Sequence, residues 1–417
     1  MPNTSANIES NKRNIAPAAS SNKMKRAVAA AFLGWTIDAF DFFVLVFAMS
    51  AIAKEFGTSI PKIALTLTAS LAMRPVGALV FGLLADRYGR RPTLIANVLF
   101  YSMMEVASGL ATSYGVFFFC RLIYGIGMGG NWGVGASLAL ESVPTRLRGV
   151  VSGLLQEGYA LGNLLAAGAY FAVFPYWGWR SLFFLGTLPA LVTILLCVTV
   201  EEPEASKAAR TMDWSSYRKA IFGNSRLFLY LVLLMTMMTF ISHGTQDMYP
   251  TYLRQRGMNV NFTALITAIS TVGAILGGLI GGHLSNRLGR RKVMVAAALL
   301  AALSIPLWVL APSTPLIMVG AFLMQFMVQA AWGVVPIHMN ELSPGPLRGI
   351  FPGLAYQLGV VLSSSVGYIE AVLGEHIGYA ASMGGLAAVV LLVGAVVIWA
   401  GPERKDAPFL ATPSTLA

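Results

Sequence analysis

Gly82-Leu83-Leu84-Ala85-Asp86-Arg87-Tyr88-Gly89-Arg90-Arg91 returns two hundred residues later as Gly282-His283-Leu284-Ser285-Asn286-Arg287-Leu288-Gly289-Arg290-Arg291. The same offset carries Glu141, Pro144, Leu147, Arg148, Gly149 and Gly153 onto Glu341, Pro344, Leu347, Arg348, Gly349 and Gly353. Two separate matches at one offset mark a chain built from two copies of one unit. Each copy is followed by a charged segment, the first of them running from Glu201 to Arg226 and containing Pro203.

Outward from the repeat, the chain is almost uniformly apolar. Of its 417 residues 56% are hydrophobic and 11% are charged, against roughly 25% charged in an average soluble domain. That is too little polar surface to cover a water-soluble globule. Apolar stretches of about twenty residues recur, each long enough to cross a hydrocarbon core of ~30 Å. Inside lipid the backbone must satisfy its own hydrogen bonds, so the spans are helices. The expected spans are 27–53, 63–84, 93–112, 116–140, 150–174 and 181–200, then 227–249, 262–284, 293–311, 315–340, 350–372 and 378–400. The expected fold is an all-α membrane protein of twelve transmembrane helices in two pseudo-symmetric six-helix bundles. Its parts are a disordered tail 1–26, bundles 27–200 and 227–400, a linker 201–226 with an amphipathic run around 214–221, and a tail 401–417. The first apolar span lacks a small-residue cleavage pattern, so a retained helix rather than a cleaved signal peptide is expected.

The net charge of +11 is a statement about topology, not about a nucleic-acid partner. Of the 29 Lys and Arg residues, Lys54, Lys62, Arg180, Arg254 and Arg256 fall on one side of the expected membrane and Arg74 and Arg121 inside it; all the others lie on the side of the two tails. The positive-inside rule puts that side, with both termini, in the cytoplasm of a cell-membrane protein. Cys120 and Cys197 lie within spans and define no metal site or disulfide. No metal cluster, phosphate loop or nucleophile with an adjacent base appears, so neither an enzyme nor a cofactor is expected.

The repeated loop resembles the Gly-x-x-x-Asp-Arg-x-Gly-Arg-Arg motif of the major facilitator superfamily. Arg121, Gly125, Gly127, Gly129 and Gly130 match that family's span 4 pattern. The resemblance covers nearly the whole chain and implies a central cavity between two bundles, opening alternately to each side. The loop residues form a candidate conformational latch: Asp86 can accept hydrogen bonds from a helix N-terminus of the other half, with Arg90, Glu141 and Arg148 beside it and Arg290, Glu341 and Arg348 in the second copy. Simple fixing of topology accounts equally for the arginines. Asn286 replaces the second aspartate, which puts the second-half latch in question.

Ionisable residues inside a bilayer cost roughly 2.5–3.5 kcal/mol each and need a partner, a wet cavity or a function. Asp38 and Asp41 are three residues apart in span 1, ~16 and ~21 Å from its start at the helical rise. Two such carboxylates do not both ionise cheaply, so one is expected to carry a proton; permanent pairing with Arg74 is the alternative. Arg74 and Arg121 are candidate holders of a substrate carboxylate through their guanidinium forks, although a structural place in the Gly-rich span 4 also suits Arg121. Glu157 in span 5 is a candidate proton site or a partner of Arg121, next to Gln156. Glu105, Glu370 and His338 are further ionisable residues in spans.

Span 7 holds Ser242-His243-Gly244-Thr245-Gln246-Asp247, with His243 and Asp247 one turn apart. A lone histidine in an apolar helix is commonly a satisfied core residue, but here carboxylate, amide and hydroxyl share its face. Its unperturbed pKa of ~6.5 suits a proton relay. The run resembles the signature Asn-x-x-Ser/Thr-His-x-Ser/Thr-Gln-Asp-x-x-x-Thr of the sialate:proton symporter family and its fungal lactate and pyruvate carriers; Ser242, His243, Thr245, Gln246, Asp247 and Thr251 match, and Thr239 departs. The resemblance implies proton-coupled transport of small monocarboxylates and carries His243, Gln246 and Asp247 over as candidates for substrate and proton handling; together with the intramembrane charges, the proton candidates are Asp38, Asp41, Glu157, His243 and Asp247 and the substrate candidates Arg74, Arg121, Gln156, Gln246 and His243. The span 5 region around Gly158 lacks the Gly-Pro-rich antiporter motif, so symport is expected. The expected partners are a carboxylate, a proton and the lipid bilayer, with the monomer as the working unit. Alternatives are a carrier of sialate, aromatic or other organic acids, efflux of a hydrophobic compound, and a receptor that binds a carboxylate without moving it.

Overall fold

A computed structural model describes residues 21–209 and 214–409 of the protein. The first bundle comprises α1 (Ser21–Glu55), α2 (Ile60–Tyr88), α3 (Arg90–Gly109), α4 (Tyr114–Glu141) and α5 (Thr145–Thr199). The 55-residue α5 contains spans 5 and 6, separated by the non-helical Gly178 (φ 69°, ψ −176°). Two short helices, α6 (Glu204–Ala209) and α7 (Trp214–Gly223), form the described part of the linker. The second bundle comprises α8 (Ser225–His243), α9 (Tyr249–Gln255), α10 (Val260–Leu288), α11 (Arg290–Val309), α12 (Thr314–Trp332), α13 (Val335–Leu342), α14 (Phe351–Ser363), α15 (Val366–Ile377) and α16 (Tyr379–Ala400).

Nine helical stretches among the described residues are long and apolar enough to cross a bilayer, the longest being the double span of α5. The helices α3 and α4 complete the twelve and carry buried polar groups such as Asn97, Glu105, Arg121 and Asn131. Phe171, Leu303 and Leu195 are 84%, 77% and 68% exposed, as suits an outer surface solvated by lipid rather than water.

The halves are not identical copies in detail. Spans 1, 4 and 5 are continuous helices, whereas their second-half counterparts, spans 7, 10 and 11, are each broken, at residues 244–248, 333–334 and 364–365. Hydroxyls and prolines gather at the breaks. Thr245 returns its hydroxyl to the carbonyls of Ile241 and Ser242, and Pro250 opens α9. Ser363 and Ser364 likewise bond back onto the preceding turn, and Pro336 opens α13. Hydroxyls that compete for backbone carbonyls, and prolines without an N–H, weaken a helix locally. Continuous spans 7, 10 and 11 were expected from hydropathy, and these interruptions correct that reading.

Two boundaries also move. The expected tail 1–26 lies outside the described residues as far as position 20, but Ser21–Arg26 already belong to α1. The tail beyond 400 is folded as far as Phe409 and then passes outside the described residues. Phe409 sits between Arg148 of one half and Arg348 of the other, its ring 3.6 and 4.2 Å from their guanidinium carbons. Arg148 donates to the Ala407 carbonyl at 3.0 Å and Arg348 to the Phe409 carbonyl at 2.9 Å.

On this terminal face the two bundles are locked together. Asp86 accepts from the backbone N–H groups of Gly349 (2.7 Å) and Ile350 (3.2 Å) across the interface, from Arg90 (2.6 Å), and from the Tyr217 hydroxyl of α7 (2.9 Å). Burial and the neighbouring Asp86 raise the Tyr217 hydroxyl well above the ordinary tyrosine range, so it stays a donor. Asn286 does the equivalent work in the second copy: its Oδ1 accepts from Gly149 N–H (3.1 Å) and its Nδ2 donates to Arg146 O (3.0 Å). The second copy thus keeps a contact between the halves at the position of the missing aspartate. Arg90 also reaches Glu141 at 3.4 Å, while Arg290 holds Glu341 through two bonds of 2.9 Å. The turns at Gly89 (φ 112°) and Gly289 (φ 101°) take a backbone shape that favours glycine. There Glu202 accepts from Arg90 and Arg91 N–H, and Glu403 from Arg290 N–H.

Candidate functional site

Between the bundles, above this closed seam, lies a cavity of about 690 Å³ walled by both halves. Its aromatic wall includes Trp35 and Tyr159 of the first half and Trp332 and Tyr356 of the second. Tyr356 stacks on Trp132 across the interface at 4.6 Å, with Trp35 and Trp332 edge-on at 6.2 and 6.3 Å. Trp132 donates its indole N–H to Gln156 (3.0 Å), and Trp332 donates to Met238 O (3.1 Å). Toward the terminal face the seam narrows to glycine backbones: a Cβ on Gly153 would overlap Gly278, and one on Gly149 would overlap Gly282.

Arg74 is the cation of this wall. It is 6% exposed, its guanidinium stands 5.9 Å above the Tyr356 ring, and its Nε and Nη2 have no hydrogen-bond partner. Asp38 stands behind it, Oδ2 3.9 Å from Nη2, and neither of its oxygens is hydrogen-bonded. Asp41 lies deeper, accepting from the Tyr124 hydroxyl at 3.4 Å. Both aspartates are buried in the first bundle and lie off the cavity wall.

Arg121 is differently placed from the substrate-facing position expected of it. It is 1% exposed, pairs with Glu105 at 2.5 Å, and is covered by the rings of Tyr124 (4.4 Å) and Phe183 (4.6 Å). Its donors are turned into the bundle, so the structural alternative describes it. The Arg121–Glu157 pairing is overturned by the same contact: Glu105 takes the arginine, and Glu157 faces the cavity, close against Gly278. Glu105 is the residue whose importance the sequence underweighted. With it, three buried carboxyls (Asp38, Asp41, Glu105) stand against two buried arginines (Arg74, Arg121). A bundle interior holding three acids and two fixed cations is neutral when one acid keeps its proton.

On the opposite wall, the break of span 7 presents His243, Gln246 and Asp247 to the cavity. His243 Nδ1 lies 3.1 Å from Asp247 Oδ2, and their side chains are 45% and 44% exposed. Gln246 donates to Ser242 Oγ at 3.0 Å. The break is held from behind by Gln325, which donates to the carbonyl and hydroxyl of Thr245, both at 3.1 Å. Span 7 thus presents an imidazole–carboxylate pair, and the first half a guanidinium, to one shared space.

Twelve helical spans in two related bundles, latched on one face around a polar, aromatic-lined cavity, define a membrane transporter of the alternating-access class. The chain belongs to the Major Facilitator Superfamily, whose model matches residues 31–268 and again 248–414. It is 26% identical over 363 residues to "Sialic acid transporter NanX" of Escherichia coli (strain K12), covering 86% of this chain and 89% of that protein. It is 28% identical over 374 residues to "Carboxylic acid transporter protein homolog" of Saccharomyces cerevisiae, covering 83% of this chain and 60% of that longer protein. The fold matches the proton:xylose symporter XylE with a TM-score of 0.72 at 18% identity, over 93% of this chain and 98% of that one.

Proposed function

We propose that this protein imports a small organic acid together with a proton, with a monocarboxylate such as lactate or pyruvate as the substrate and the monomer as the transporting unit. The observation that carries the reading is Arg74, a guanidinium on the cavity wall whose Nε and Nη2 are buried and without a hydrogen-bond partner, in the same cavity as the His243–Asp247 pair. A guanidinium fork suits a carboxylate. Proton coupling has a physical purpose, because an anion entering a negative interior climbs about 2.3 kcal/mol per 100 mV, and a co-transported proton removes that term. Asp38, Asp41, Glu157, His243 and Asp247 are the proton-handling candidates, and Arg74, His243, Gln156 and Gln246 the substrate contacts. The charge asymmetry favours a cytoplasmic terminal face, which makes the closed seam the inner gate and the described state outward-facing.

A second reading is a larger or aromatic carboxylate, favoured by the ring-lined wall of Trp35, Tyr159, Trp332 and Tyr356. Radiolabelled L-lactate uptake into proteoliposomes, with and without an inward proton gradient, tests the first reading. Competition by pyruvate, N-acetylneuraminate and benzoate separates it from the second. Gradient-driven accumulation is expected; uptake indifferent to the gradient refutes coupling, and binding without accumulation identifies a receptor.

A further inference from the structure

Glu370, in α15, is 0% exposed and neither of its carboxylate oxygens has a hydrogen-bond partner. No Lys or Arg is paired with it among the described residues. It lies directly behind the break of span 7, where a Cβ built on Gly244 would stand 3.7 Å from its Oε1. On the other side, Ser382 of α16 donates to the Glu370 backbone carbonyl at 2.8 Å, which fixes the helix but leaves the carboxyl unanswered. The charged neighbour whose field reaches it is Asp247, itself held by His243. Tyr379 of α16 packs on Gly374 one turn along, and Glu375 and His376 of its own helix are exposed.

We propose that Glu370 is a proton-carrying residue of the transport cycle, exchanging its proton with Asp247 across the break of span 7. The proposal rests on the proton-coupled reading above. With no donor and no cation, an ionised Glu370 is costly in a membrane interior, so in this state the carboxyl keeps its proton. On release, the O–H bond of Glu370 breaks and an O–H bond forms on the Asp247 carboxylate, which opens to the cavity. The charge left on Glu370 is tolerated only when water or a donor reaches it, which requires the segment 244–248 to move. Proton release is thereby tied to a rearrangement of the helix that also carries His243 and Gln246.

The test uses full-length wild type, Glu370→Gln and Glu370→Asp in proteoliposomes, with whichever acid of the panel above the wild type accumulates. Glu370→Gln is expected to keep substrate exchange at equal pH while losing gradient-driven accumulation at least tenfold. Its infrared spectrum is expected to lack one protonated-carboxyl C=O band present in the wild type. Glu370→Asp is expected to accumulate substrate with a displaced pH profile. Full accumulation by Glu370→Gln, equal loss of exchange and accumulation, an unchanged carboxyl band, or an unshifted profile in Glu370→Asp each overturns the assignment. A wild type that accumulates none of the acids removes the functional reading and this proposal with it, and is distinguishable because it appears in the control arm.

Discussion

Asp38 and Arg74 face each other at 3.9 Å, close enough to attract and too far to share a hydrogen bond. The guanidinium is thus left with Nε and Nη2 unpaired beside a partner that does not saturate it. Arg74→Ala is expected to lower acid uptake by about ten- to a hundredfold, the value of one charge-assisted contact of roughly 1.5–3 kcal/mol. Arg74→Lys keeps the charge but not the fork and is expected to fall between. Initial rates in proteoliposomes decide; wild-type rates in Arg74→Ala exclude it from the site.

Asp38→Asn and His243→Ala separate coupling from folding. Both are expected to insert and purify normally yet lose proton-driven uptake: Asp38→Asn keeps the side-chain volume, the His243 side chain is 45% exposed and is not part of the packed core, and each change removes a titratable group. Internal pH recorded during substrate addition measures this directly, and wild-type proton flux in both variants defeats the coupling assignment.

The two latches make a prediction from internal symmetry. Since Asn286 holds Gly149 N–H where Asp86 holds Gly349 and Ile350 N–H, Asp86→Asn is expected to preserve the seam and Asp86→Ala to open it. Backbone hydrogen exchange at Gly349 and Ile350 is the readout: accelerated in the alanine variant and near wild type in the asparagine variant.

Gly153→Val is expected to disfavour the described state, because a side chain there collides with the Gly278 backbone across the interface. Ser137, fully buried and bonded to Asn340 and the Arg348 carbonyl, reports on the seam. In a Cys120→Ala/Cys197→Ala background, maleimide labelling of Ser137→Cys is expected to rise when Gly153→Val is added.

Phe409→Ala removes two guanidinium–ring contacts that bridge the halves. At about 0.5–1 kcal/mol each, their loss weakens the seam by about 1–2 kcal/mol. The same labelling assay is expected to register roughly a tenfold gain; unchanged labelling means the tail follows the seam rather than fastening it.

Periodicity, apolar run length and the 200-residue repeat determined the twelve-span, two-bundle architecture, because a bilayer leaves a chain of this composition few other ways to close its backbone hydrogen bonds. The cluster of Asp86, Arg90 and Glu141 and its second-half counterpart were legible as a repeated motif, although the Arg90–Glu141 contact and those of Asp86 with Gly349 and Ile350 join residues 51 to 264 positions apart. The breaks in spans 7, 10 and 11 were not, because hydropathy counts Ser, Thr and Gly as tolerable in a span and is blind to hydroxyls bonding backward. Nor was the fate of Arg121 or Glu157: which arginine meets which acid depends on helix rotation, and a rotation of one residue, about 100°, turns a side chain from cavity to bundle core. The sequence by itself determined that charges stand inside the membrane; tertiary packing alone decided that Arg121 is spent on Glu105, that Arg74 stands at the cavity wall with Nε and Nη2 unpaired, and that Glu370 is enclosed behind a broken helix, because those outcomes are set by contacts between residues far apart in the chain.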